Sequence, residues 1–147
     1  MFQIIVDSAA NIPAELVKQY NIKVLSFVNY VNGEKLVCFD PELTYEEERA
    51  KGKTYYDAMR NGADVKTSLI STGDFEAAFR KVMDAGEDVL YFSLSKNISG
   101  NYNSARIAME ELMENPPMNR RIRIIDSLNA SLAQGILAIY ASQMRDR

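Results

Sequence analysis

Apolar residues in this chain come in short runs that each stop at a polar turn. One run covers 2–6 and stops at Asp7; others cover 88–93 and 121–125, the last stopping at Asp126. Runs this short, rich in Ile and Val, predict strands buried on both faces. A longer mixed run over 22–31 predicts a further strand. Asn32-Gly33 follows, with apolar residues resuming over 35–39. Asn-Gly between two such runs predicts a tight hairpin, and so an antiparallel excursion from an otherwise parallel sheet.

Between the strands the period changes. Pro13 suits the first turn of a helix whose inner face is Leu16, Val17 and Tyr20. Thr44-Tyr45-Glu46-Glu47 has capping-box form and opens another. Gly52 is expected to interrupt that helix, leaving a second over 55–61 capped by Gly62. Phe75, Ala78, Phe79 and Val82 recur at helical spacing after Ser71-Thr72-Gly73-Asp74. A helix over 100–115 turns Tyr102, Ala105, Met109 and Leu112 inward, and Pro116-Pro117 forbids its continuation. The last helix, over 130–144, is apolar on most sides and is expected to lie against two neighbours. Strands alternating with helices give an α/β fold: a mostly parallel sheet flanked by helices, with one antiparallel hairpin excursion. No repeat, linker or low-complexity tract divides residues 1–147, which read as a single α/β domain.

Composition narrows the function. A net charge of −3 leaves no basic surplus to neutralise phosphates, which argues against nucleic acid. The basic stretch Arg120-Arg121-Ile122-Arg123 reads as a solvated strand entry. The lone Cys38 fits a reducing, cytoplasmic setting and reads as a buried or half-buried small apolar residue. The apolar stretch 128–141 is too short and too interrupted for stable membrane insertion.

The chemistry lies in the turns after the strands. They read Asp7-Ser8-Ala9-Ala10-Asn11, Thr67-Ser68-Leu69-Ile70-Ser71-Thr72, Ser93-Leu94-Ser95-Lys96-Asn97-Ile98-Ser99-Gly100-Asn101 and Asp126-Ser127-Leu128-Asn129-Ala130-Ser131. Each has an ordinary explanation as capping and turn chemistry. Open α/β sheets, however, bind ligands outside the carboxyl ends of their strands, where helix N-termini favour anions. Together the turns point to a neutral cradle for a carboxylate or phosphate. The hydroxyls of Thr67 and Ser99 are expected to converge with the Gly100 N–H on one oxyanion, beside Ser68 and Asn101.

Catalytic machinery is sparse. The sequence contains no His, so Ser–His and Cys–His pairs are impossible. Lys96 lies near Ser93, Ser95 and Ser99, but no second motif supports a Ser–Lys pair. The acidic run Glu46-Glu47-Glu48 diverges around a helix and reads as a solvated face, not a metal site. Neither GxGxxG nor GxxxxGK[ST] occurs. No catalytic residue, metal site or cofactor is expected. Three readings stay open: a lipid-binding carrier, an α/β enzyme or binding domain acting on a small phosphorylated substrate, and an interaction domain without a ligand.

The four turns together resemble the DegV family of bacterial fatty-acid-binding proteins. The matching segments run from Ile5-Val6-Asp7-Ser8 through Lys66-Thr67-Ser68 and Ser99-Gly100-Asn101-Tyr102 to Ile125-Asp126-Ser127, in the family's order. The resemblance implies a cytoplasmic carrier that buries one long-chain fatty acid and presents its carboxylate to a separate fatty acid kinase. It implies that Thr67 and Ser99 hold the carboxylate. The family's Ser-Gly-Thr-Tyr is here Ser-Gly-Asn-Tyr. It also implies that these residues form the N-terminal domain of a longer arrangement, whose second domain closes over the ligand and is absent from this chain.

Overall fold

In the computed structural model, which describes residues 1–114, 116 and 119–147, two sheets divide the strands. The main sheet is four-stranded and parallel, in the order β2 (Ile22–Leu25), β1 (Phe2–Asp7), β6 (Asp88–Ser93), β7 (Ile122–Asp126). The smaller sheet is antiparallel, with β3 (Val28–Val31) between β4 (Glu34–Val37) and β5 (Val65–Ser68). The helices are α1 (Ala14–Gln19), α2 (Tyr45–Arg60), α3 (Thr72–Asp84), α4 (Asn101–Glu114) and α5 (Leu132–Arg145), with a 3-10 turn at Ser8–Ala10.

The pleat of the main sheet sorts its side chains into two cores. Ile5, Val89 and Tyr91 point to one face, where Phe75, Phe79 and Val82 of α3 and Ala105, Ala108 and Leu112 of α4 close over them. Ile4, Val6 and Phe92 point to the other, against Val17 of α1 and Ala138 of α5. A parallel sheet covered on both faces explains why its strands read as continuous apolar runs. Successive strands step outward from β1 to β2 on one side and from β6 to β7 on the other. The strand order therefore reverses between β1 and β6, the place where open α/β sheets hold ligands.

The hairpin forms as expected. Asn32 and Gly33 both have positive φ, 51° and 86°, as a two-residue type I′ turn requires. It also gains a third strand, because β5 pairs with the other edge of β3.

Three expectations are corrected. The run 22–31 is not one strand: β2 ends at Leu25 in the main sheet and β3 begins at Val28 in the other. Side chains cause the break, since the Phe27 N–H donates to Ser8 Oγ at 2.9 Å, and Ser26 Oγ accepts from the amides of Cys38 and Phe39. Gly52 does not interrupt α2, which runs unbroken from a complete capping box on Thr44 and Glu47. One interior glycine costs only about 1 kcal/mol, too little to stop a capped helix. Lastly, α5 is covered on one side only: Leu132, Ile136, Tyr140 and Met144 form an exposed stripe at every fourth residue. The expected end of α4 at Asn115 and Pro117 lies outside the described residues. No helix is long and apolar enough to cross a membrane among the described residues.

Candidate functional site

Beyond the carboxyl ends of β1 and β6 the chain encloses an open cavity of about 740 Å³. It is built from three of the four polar turns. The β1 turn contributes Ser8, Ala9 and Asn11; the end of β5 contributes Thr67, Ser68 and Leu69; the loop before α4 contributes Leu94, Ile98, Ser99 and Gly100. From these polar groups the wall continues into Phe27, Leu36, Phe39, Leu43, Tyr55 and Tyr56. The volume lies within the roughly 300–1,000 Å³ of small-molecule sites.

Thr67 is exposed at the end of β5, paired across the ladder with Asn29, which also lines the cavity. Ser68 is half-buried, and its hydroxyl donates to the Val28 carbonyl at 3.1 Å, so its proton serves the small sheet. Ser99 Oγ accepts from the Asn101 N–H at 3.2 Å, an acceptor role that leaves its own O–H free to donate. Gly100 comes so close to Leu69 that a Cβ there would lie 3.0 Å from Leu69 Cδ1. Asn101 is wholly buried, outside the cavity wall. Its Oδ1 accepts from the Ile70 N–H at 3.2 Å, tying the loop after β5 to the first turn of α4. The structure thus brings Thr67, Ser68, Ser99 and Gly100 onto one cavity and sets Asn101 behind them.

The fourth turn does not reach the cavity. Ser127 donates to the Asn129 carbonyl and accepts from the Asn129 N–H, while Asp126 accepts from the amides of Lys96 and Leu128. These are the turn bonds that Asp and Ser make in many contexts. Their effect is to brace the neighbouring loop, since the Ser95 N–H also donates to the Asn129 carbonyl at 3.0 Å. Lys96 does not pair with a serine. Its ammonium lies 3.7 Å from Asp126 and 5.8 Å from the centre of the Tyr102 ring.

Two titratable groups on the wall differ from expectation. Cys38 is exposed, not buried, yet the surrounding wall desolvates the thiolate and raises the thiol pKa, against a smaller opposing pull from the Asn29 backbone and Lys51. Glu48 is not part of a solvated face. It turns inward at the cavity, and desolvation raises its pKa despite the Ala14 amide and Lys51 nearby. Consecutive helical residues point about 100° apart, so in a run of three acids on a packed helix one faces in. The aromatic and aliphatic wall has no local sequence signal, because its residues come from the β2–β3 junction, from β4, from α2 and from the segment between β4 and α2. Among the described residues, no carboxylate and thiol groups gather where they would hold a metal ion.

Comparison with known proteins fits this architecture. A DegV family domain in Clostridium perfringens is 38% identical over 145 residues, covering 98% of this chain and 47% of that protein. A DegV domain-containing protein of Lactococcus lactis is 33% identical, with 99% and 48% covered. The chain therefore spans about half the length of these curated relatives. Among solved structures, a DegV lipid-binding protein of Thermotoga maritima superposes with a TM-score of 0.78 at 28% identity, over 99% of this chain and 49% of that one. A stearic-acid-binding protein of Eubacterium ventriosum superposes at 0.81 with 24% identity, over 99% and 48%, a likeness of fold. The model of the DegV family, described as uncharacterised proteins, matches residues 1–147 from end to end, and this chain belongs to that family.

Proposed function

We propose that this protein is a carrier for a long-chain fatty acid. The carboxylate sits at the polar end of the cavity, held by the hydroxyls of Thr67 and Ser99 and the Gly100 N–H, with Ser68 and Asn101 supporting them. The acyl chain lies along the apolar wall. The observation that carries this reading is the continuity of one cavity from hydroxyl-bearing turns to aromatic and aliphatic side chains. An enzyme for a small phosphorylated substrate would have little use for that wall. The lipid- and fatty-acid-binding DegV proteins of Thermotoga maritima, 28% identical, add support.

In this reading the protein performs no chemistry itself. It works in the cytoplasm and presents the carboxylate to a partner fatty acid kinase. Residues 1–147 act as one α/β domain, the N-terminal member of a two-domain arrangement.

The energetic roles are split. Burying the tail contributes about 0.8 kcal/mol per CH₂. A hydrogen bond to a charged group contributes about 1.5–3 kcal/mol. Thr67→Ala and Ser99→Ala should therefore keep much of the lipid while losing control of the head group. Native mass spectrometry of the purified protein should find a co-purified fatty acid. Isothermal titration with palmitate should show each variant weakened by about tenfold or more relative to wild type. Unchanged palmitate affinity in both variants would remove Thr67 and Ser99 from the site. A wild-type protein that takes up no fatty acid would remove the function.

A further inference from the structure

We propose that Asp7 is a positioning residue of the head-group site, holding two of its three turns in register without touching the ligand. The inference rests on the carrier reading above. Asp7 ends β1 at the point where the strand order reverses, and it belongs to the cavity wall. Its side chain is nevertheless wholly buried, and no Lys or Arg lies within ion-pair distance of it among the described residues. A buried charge without a counter-ion is expensive unless hydrogen bonds replace its water.

Both oxygens are fully engaged. Oδ1 accepts from the Ala9 N–H and from Gln134 Nε2, each at 3.2 Å. Oδ2 accepts from the Tyr91 hydroxyl at 2.8 Å and from the Leu94 N–H at 2.9 Å. The Ala9 bond is an ordinary local cap, but the other three donors are distant in sequence. They lie on β6, on the loop after β6 and on α5. Burial and the Asp7 charge together push the Tyr91 phenol well above its ordinary pKa, so it stays a donor.

What those donors position is the site. Ala9 belongs to the turn in which Ser8 Oγ holds the Phe27 amide at the junction between the two sheets. Leu94 leads into Ser95, whose carbonyl accepts from the amides of Ile98 and Ser99. That tight turn places Ser99 and Gly100. Gln134 Nε2 also donates to the Phe92 carbonyl at 3.1 Å, so α5 clamps the ends of β1 and β6 together. One carboxylate thereby fixes the spacing between the Ser8 turn and the Ser99 turn, two of the three turns that form the polar end of the cavity.

The test compares two ligands in three proteins. Palmitate and methyl palmitate have the same tail, and only palmitate carries a charged head. Titration of wild type, Asp7→Asn and Tyr91→Phe, each within the two-domain arrangement proposed above, with both ligands should separate positioning from general packing. Asn at position 7 keeps the shape but turns one acceptor into a donor facing donors. Palmitate affinity should fall by about tenfold in Asp7→Asn and about threefold in Tyr91→Phe, with methyl palmitate changed less than about twofold. An equal fall for both ligands in Tyr91→Phe would overturn the proposal in favour of a purely structural role, and so would unchanged palmitate affinity in that variant. Tyr91→Phe keeps the test decisive if Asp7→Asn does not fold. A wild type that binds neither ligand would sink the carrier reading itself, a result distinct from either of these.

Discussion

Two carboxylates near the cavity show how burial decides a residue's role. Asp7 is enclosed and surrounded by donors; Glu48 is half-enclosed and short of them, so desolvation raises its pKa. The sign follows from linkage. A folded state that raises an acid's pKa holds the proton more tightly than the unfolded chain does. Glu48 thus costs nothing well below the ordinary glutamate range and increasingly destabilises the fold as pH rises through the raised value. Glu48→Gln keeps an acceptor for the Ala14 amide and removes the charge. Its melting temperature should match wild type near pH 4 and exceed it near pH 7, across the range where glutamates titrate. A difference between the proteins that does not vary with pH would refute this account. Asp7 could be read from sequence as a turn residue because Asp after a strand is a local signal. The inward turn of Glu48 could not, because it depends on what α2 packs against.

At the scale of elements, two glycines in helices make opposite predictions. Gly135 lies in the first turn of α5, where a Cβ would stand 2.9 Å from both the Ala10 carbonyl oxygen and Ile12 Cγ1. The carbonyl belongs to the turn before α1 and has little room to yield. Gly135→Ala should destabilise the protein by about 1–3 kcal/mol, the usual range for overpacking, in spite of its better helix propensity. Gly52 lies in the middle of α2 with nothing within 4 Å of an added Cβ. Gly52→Ala should stabilise by about 0.5–1 kcal/mol. Urea denaturation reads both, and a stabilised Gly135→Ala would show that α5 does not press on that turn. From sequence, Gly52 reads as a break, and Gly135 is merely one position within the helix expected over 130–144. Both impressions rest on propensity, which a capping box on one helix and a close approach on the other outweigh. The main strands, the Asn32-Gly33 hairpin and α3 were legible because their signals lie within a few residues. The division of 22–31 between two sheets was not, since Ser8 and Ser26 cause it by capturing backbone amides from elsewhere in the chain.

At the scale of the whole molecule, the distribution of core explains where the protein should be soft. The main sheet has a buried cluster on each face, and α3 and α4 each bury four residues. By contrast α2 has sixteen residues and none fully buried. It is fixed by its capping box and by Lys51, whose ammonium donates to the Val37 carbonyl at 3.0 Å. Three of its tyrosines, Tyr45, Tyr55 and Tyr56, line the cavity instead of a core. The polar end of the cavity was legible in the sequence because hydroxyl turns announce themselves. The apolar end was not, because it is a space between α2, the small sheet and the β1 turn. In the carrier reading the ligand's tail supplies the core that α2 lacks. Local opening requires only the loss of those contacts, so α2 should exchange its amides faster than α3 and α4 in the empty protein. Saturating palmitate should slow exchange across Tyr45–Arg60 by about tenfold or more, because binding stabilises whatever it packs against. Hydrogen–deuterium exchange with and without palmitate measures this directly. Protection of α2 equal to that of α4 in the empty protein would show that the helix needs no ligand to hold it. Protection confined to the Ser99 loop on adding palmitate would place the tail outside this cavity.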